Sequence, residues 1–289
     1  MKRWLKITLY TILSILVIGA VIIGIFIYQV NYGLPFFDHE APEIKKDLND
    51  FSILIFSKTN GFRHGEAIDA SLNAFDKMAD DNGWSIVHTE NGAIFNAEQL
   101  ALFDVVVWNN VTGKVLTDEQ RSVFETYIEN GGGYVGIHGA GDFSHHWKWY
   151  NKNLIGASFS HHPMSPQLQN GTMISECQDN PLCKVLPSKF SRMEEWYVFY
   201  DNPRDKGFKI WFTVDEATFN PSGQFGFLQS DKNWGMGADH PVVWSKCVKK
   251  GRTFYSALGH TGDSFKEKEH LAILESGIRW SGKLSGICE

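Results

Sequence analysis

Four short apolar runs separated by helical periodicity constrain the fold of this chain more than any other feature. FSILIFS (51–57) is continuously apolar, as in a strand buried on both faces. Residues 66–82 then place Ile68, Leu72, Phe75 and Met78 on one helical stripe, with Gly83 as the stop. WSIVHTE (84–90) reads as a second strand, 97–102 as a short helix and DVVVWNN (104–110) as a third strand. Thr117 and Gln120 form a capping-box pattern for a helix running to Asn130, and GGYVGIH (132–138) is a fourth strand. This alternation predicts βαβ units and a doubly wound, mostly parallel α/β sheet. Such sheets bind ligands beyond the carboxyl ends of their strands. Position alone therefore nominates residues 58–64, 90–93, 109–113 and 138–146.

The second half is more irregular. KIWFTVD (209–215) reads as a strand, and HPVVWSKCV and RTFYSALGH as two strands joined at Lys249-Lys250-Gly251. Residues 264–280 form a closing amphipathic helix with Ser264 as its cap. These elements are expected to extend the same sheet, giving one domain over residues 51–282 and a tail at 283–289.

Residues 7–30 carry no charge and follow Lys2, Arg3 and Lys6. As a helix the run would be roughly 36 Å long, enough to cross a bilayer. It is longer than the apolar region of a cleaved signal peptide and no A-x-A site follows it. With residues 1–6 basic and no acidic residue before Asp38, the positive-inside bias leaves the N-terminus in the cytoplasm and the domain outside. The expectation is a single-pass signal anchor at the membrane, with residues 31–50 as linker. The alternative is a cleaved signal peptide and a soluble exported protein. Setting those three basic residues aside, the formal charge of −6 becomes −9, and no basic cluster remains, which argues against nucleic acid as a partner. Of the four cysteines, Cys177 and Cys183 are close enough to close a short loop in an oxidising compartment, and none forms a CxxC pair.

The chemistry of the chain centres on histidine. His64, His138 and His260 each end or follow a predicted strand. In GGGYVGIHGA the glycine-flanked turn that carries Ser or Cys in many α/β hydrolases carries His138. Acyl-enzyme chemistry thus lacks its nucleophile, and neither a GxGxxG nor a P-loop motif occurs. Neighbours in extended chain point to opposite sides, so at most one member of His145/His146 and one of His161/His162 should face a site. His162 and His240, each before a proline, are favoured, with rigid loop corners as the alternative. In Met193-Glu194-Glu195-Trp196-Tyr197, a carboxylate among aromatics suits acid–base work; the alternative is a surface edge with two solvated glutamates.

The series FRHGEAI, GGGYVGIHGA, FSHHP, EEWY, DHPVVW and ALGH, in this order, resembles the ThuA-like (trehalose utilisation) family over about residues 51–282. The resemblance implies a class I glutamine amidotransferase-like, flavodoxin-like fold, with His138 where amidotransferases carry cysteine and His260 near the place of their histidine. It implies a link to sugar catabolism, including disaccharides handled as 3-keto derivatives. Glu194 departs from the family, which often has Asp there.

These readings converge on a sugar-processing hydrolase, lyase or isomerase, and not an amidotransferase, acting on a small carbohydrate. His138, Glu195 and His260 are the expected catalytic groups, with His64, Asn109, Asp142, Trp196 and Tyr197 around the substrate. His138, His162 and His240 are the expected ligands for a divalent metal such as zinc. The alternative is a membrane-tethered sugar-binding module that performs no catalysis.

Overall fold

The computed structural model describes residues 2–44, 47–142, 144–223 and 234–288. Parts of the linker (45–46) and the last residue of the tail (289) lie outside the described residues. Helix α1 (Lys2–Tyr32) is apolar on all sides and exposed at nearly all of its described positions; an 18-residue window within residues 3–29 has a mean hydropathy of 2.7, and the helix is long and apolar enough to cross a membrane.

The expected alternation follows. Strand β1 (Ser52–Phe56) is buried at every position and leads into α2 (Gly65–Asn82), stopped by Gly83 in the left-handed conformation at φ 69°. Then come β2 (Ser85–Thr89), α3 (Ala97–Leu100), β3 (Val105–Asn109) and α4 (Asp118–Glu129). The Thr117/Gln120 capping box opens α4, both reciprocal hydrogen bonds being present. β4 (Gly133–Ile137) completes the first half, and a short α5 (Lys148–Tyr150) follows. The second half supplies β5 (Phe159–His161), β6 (Gln169–Ser175), β7 (Lys189–Glu194), β8 (Val198–Phe199), β9 (Lys209–Asp215), β10 (Pro241–Val248), β11 (Gly251–Ser256) and α6 (Lys268–Ser281).

Nine strands form one sheet in the order β2-β1-β3-β4-β11-β10-β9-β6-β7, and β5 pairs with β8 separately. The first five are mutually parallel, in the 2-1-3-4-5 order of flavodoxin-like sheets once β11 takes fifth place. The β10–β11 hairpin turns the chain back, and β10, β9, β6 and β7 join antiparallel. The second half thus extends the same sheet, as expected, with its parallel character held by the first five strands.

The winding is double. Trp108 stacks on Phe124 of α4, while its neighbour Asn109 bonds Ser71 of α2. Successive strand residues face opposite sides, so α4 and α2 cover opposite faces. Phe254, in register with Val107 through Val135, packs against Gly277 of α6, which places α6 on the α2 face. Ser264 does not cap that helix: it lies in a 3-10 turn (Gly262–Lys266), and α6 begins four residues later.

The disulfides pair Cys177 with Cys183 and Cys247 with Cys288, the second holding the tail against β10. Residues 33–40, after α1, lie along the sheet's carboxyl edge. Leu34 N donates to Asn60 O (2.9 Å), Asn60 Nδ2 to Phe36 O (3.1 Å), Gln120 Nε2 to Asp38 O (2.8 Å) and Asn91 Nδ2 to Glu40 O (3.0 Å). The Asp38 carboxylate accepts from Gly92 N and pairs with Lys58; though burial acts to raise its pKa, these contacts hold it below the usual value.

Candidate active site

Beyond the carboxyl ends of β1, β4, β11 and β7, four side chains converge. His64 stands just before α2, after the loop from β1. His138 follows β4 in the left-handed region at φ 45°, a conformation uncommon for a side-chain-bearing residue and typical of a sharp strand-to-helix turn. Gly139 beside it leaves room for His64: a Cβ there would lie 3.3 Å from the His64 ring and 3.0 Å from Thr112. Gly259, at φ 110°, turns the chain after β11 and delivers His260. Glu195 follows β7.

His138 Nε2 lies 3.2 Å from Glu195 Oε2 and 3.1 Å from His260 Nδ1, and His260 Nδ1 lies 3.0 Å from Glu195 Oε2. The His64 ring is edge-on to both imidazoles, at centroid distances of 4.9 and 5.0 Å. One ligand atom from each of His64, His138, Glu195 and His260 falls within a 4.8 Å set. The other oxygen of Glu195 takes His162 Nδ1 at 3.1 Å and the Gln167 amide. Tyr197 lies over His138 at a centroid distance of 4.2 Å.

Neighbouring groups fix the cluster. His138 Nδ1–H donates to Ala257 O (2.8 Å), which leaves Nε2 facing the cluster. Glu194, fully buried, accepts from Gly259 N (2.9 Å), His260 N (3.2 Å) and Glu195 N (3.0 Å), and pairs with Arg192 at 2.8 Å. One carboxylate thus ties the end of β7 to the turn that carries His260. Along Glu194-Glu195-Trp196-Tyr197 the extended chain sends Glu195 and Tyr197 toward the cluster and the other two away.

Burial of Glu195 alone would raise its pKa. The hydrogen bonds and charges of His138 and His260 outweigh this and hold it far below the usual carboxylate range. Burial of His138 would lower its pKa, and Glu195 reverses that, so the net shift is upward. His64 falls to about 2, through burial and then through the neighbouring imidazoles, and stays neutral. Its Nδ1 is buried with no hydrogen-bond partner. Burial raises Asp142 to about 6, despite the Ser144 hydroxyl and amide on its carboxylate.

The structure brings together His64, His138, Glu195 and His260, with His162, Asp142 and Tyr197 on the adjoining wall. It does not bring the remaining expected residues there. His240 is buried elsewhere, with Nδ1 at 2.8 Å from Glu216 and Nε2 at 2.8 Å from Tyr197 O, so it braces the Tyr197 backbone and takes no part in a metal set with His138 and His162. Asn109 is sealed between Ser57 and Ser71 and touches no open space. Asn110, at φ 54°, faces the site loops instead, accepting from Gly139 N and donating to Gly259 O. Trp196 is core, with its ring against Gly171 and its indole N–H on Gln169 O (2.9 Å). Of the doublets, His146 and His162 line the cavity, while His145 bonds Gly113 O and His161 bonds Pro221 O. Gln167 carries no signal in the sequence, and Glu194 enters it as part of the acidic stretch and as a departure from the family pattern, without the positioning role seen here. The two-residue period of the EEWY stretch is the signal that separates Glu194 from Glu195.

The donor set fits a divalent ion. Three imidazoles and a carboxylate are its ordinary ligands, and at metal–ligand bonds of about 2.1 Å a tetrahedral site has edges of about 3.4 Å. The triangle of His138, His260 and Glu195 atoms measures 3.0–3.2 Å on each side, and neutral His64 with its unpartnered nitrogen stands beside it.

Over the cluster lies a cavity of about 550 Å³ whose lining includes Asp142, His162, Gln167, Glu195 and His260. Among solved structures, a ThuA-like protein from Bacteroides uniformis is similar at 24% identity and TM-score 0.67, over 84% of this chain and 95% of that one. A ThuA-like protein from Parabacteroides merdae follows at 17% identity and TM-score 0.61, over 83% and 93%. A cytoplasmic protein from Salmonella typhimurium shares the fold at 10% identity and TM-score 0.54, over 80% and 99%. No curated protein sequence matches the chain. The model of the ThuA family, described as trehalose utilisation, matches residues 52–281, nearly the whole folded domain and the span over which the site is built. The chain belongs to the ThuA family.

Proposed function

We propose that this protein is a membrane-anchored enzyme of carbohydrate utilisation that cleaves a sugar or 3-keto glycoside as a hydrolase or lyase. The observation that carries the reading is the convergence of His64, His138, Glu195 and His260, from four separate segments, on one point at the floor of a cavity. A charged imidazole–carboxylate pair held with neutral imidazole ligands in a buried site is an arrangement suited to moving protons or holding a metal.

His64, His138, Glu195 and His260 would hold a divalent ion such as zinc. When bound, the ion would supply a lowered pKa for water and polarisation of a sugar carbonyl. The protein's own groups do the rest. Where no ion is held, His138 Nε2 and Glu195 Oε2 would instead present the base to which a water, or a carbon-bound hydrogen beside a ketone, gives up its proton. Asp142, protonated below about pH 6, is placed at the cavity wall to return a proton to a leaving oxygen. Tyr197 and Phe159 supply aromatic surface for a sugar face.

Two disulfides support placement of the domain in an oxidising compartment outside the cytoplasm, and α1 supports the anchor. The test is metal analysis and turnover of the full chain in detergent, using methyl 3-keto-glucoside as substrate. The expected result is about one bound divalent ion, with turnover reduced by about 10²–10⁴-fold in His138→Ala. Sugar binding without turnover in the metal-loaded protein would make it a binding module instead.

A further inference from the structure

The cavity above the cluster is walled on one side by helix α1: Phe26 and Tyr32 line it.

 Tyr32 stacks on His146 at a centroid distance of 5.0 Å and an interplanar angle of 16°. Gly33 is buried, and Leu34 bonds Asn60, so the end of the helix is fixed against the domain by the same segment that runs along the carboxyl edge of the sheet. The position of the cavity relative to α1 is therefore set by structure.

That position has a depth. A hydrocarbon layer of about 30 Å takes up about 20 helical residues. Counted from Ile7, it ends near Phe26, and Tyr28 and Tyr32 fall at headgroup level, where aromatic side chains gather. The cavity wall from Phe26 to Tyr32 lies in that layer. Its rim is apolar and open: Phe26 is 63% exposed, Phe62 49% and Met164 39%. Its floor is polar and carries the cluster. A polar floor beneath an apolar rim at headgroup depth matches a molecule with a sugar head and a lipid tail.

We infer that the substrate is a saccharide carried on a lipid, entering the cavity from the outer leaflet rather than from solution. This rests on the anchored, sugar-directed reading above, and the experiment separates the two. The full chain is reconstituted in phosphatidylcholine vesicles and given dodecyl and methyl 3-keto-glucosides. The dodecyl substrate should be favoured in kcat/KM by at least about tenfold, the equivalent of two buried methylenes, and diluting it with inert lipid should slow its turnover. Met164→Ser should raise its KM and leave methyl turnover unchanged. Equal turnover of both substrates with no effect of surface dilution would overturn the inference while leaving the enzymatic reading intact. If neither substrate is turned over, depth decides. A fluorophore on Met164→Cys should lose most of its emission to headgroup-nitroxide lipid, and one on Lys189→Cys, at the opposite end of the sheet, should keep its emission. Equal emission at the two positions would overturn the inference without reference to catalysis.

Discussion

Replacing Glu194 with alanine tests how the site is held together. The carboxylate is buried, pairs with Arg192 at 2.8 Å, and accepts three backbone N–H groups, from Glu195, Gly259 and His260. Arg192 is itself buried, with a side chain only 1% exposed. Removing one partner of a buried pair costs about 3–5 kcal/mol, because the other charge is left uncompensated. Glu267 lies 3.5 Å from Arg192 and would take up part of that charge, which puts the expected loss near the lower end, at about 3 kcal/mol. For a domain of this size that is a fall in Tm of about 6–12 °C. The freed Gly259–His260 turn should also disorder one corner of the cluster, so the cold, still-folded variant should bind divalent metal more weakly by about 10–100-fold. Thermal unfolding by circular dichroism and metal titration on the same preparation read both effects. A Tm within a degree of the parent and unchanged metal affinity would refute the reasoning that Glu194 positions His260.

His240→Ala should separate bracing from ligation: it removes the contacts to Glu216 and Tyr197 O and should lower Tm, yet leave bound metal at its parental stoichiometry, as read by elemental analysis. Loss of the metal would restore His240 to the ligand set. Asp142→Asn should change the pH profile. A carboxyl raised to about 6 is protonated and able to donate below that pH and loses the proton above it, so parental kcat should fall as pH rises through about 6, and the asparagine variant should lose this limb along with most of its activity. An unchanged limb in the variant would assign it to another group. Reducing both disulfides should destabilise the domain, chiefly through the Cys247–Cys288 link, whose 41-residue separation gives a loop-closure contribution of up to about 4 kcal/mol; a Tm unchanged by reductant would show the tail to be held without it.

The first half of the sheet was legible because strands buried on both faces must be continuously apolar, and the helices between them must carry one apolar stripe; no long-range information is needed to read either. The same logic reached His64, His138 and His260, since the rule that ligands meet the carboxyl ends of parallel strands converts sequence position into spatial position. Strands β6 and β7 escaped it. QNGTMIS and KFSRME are the last two strands of the sheet; β7 forms its edge, alternates between exposed and buried positions, and so halves the apolar signal. The errors at the site have a sharper cause. Asn109 and Asn110 differ by one residue, yet the positive φ of Asn110 directs it to the site loops while Asn109 completes the pleat of β3 and turns inward. His240 and His64 are both histidines beyond strands or in loops, and what distinguishes them is the company each keeps: His240 meets Glu216 and the Tyr197 carbonyl, and His64 meets two imidazoles and no acceptor for its Nδ1. Those partners lie 24 to 196 residues away along the chain, so only the closed sheet could reveal them. A parallel sheet therefore announces where its site is through local pattern, and withholds which side chains serve it until the antiparallel half has folded back and set Glu195 among the histidines.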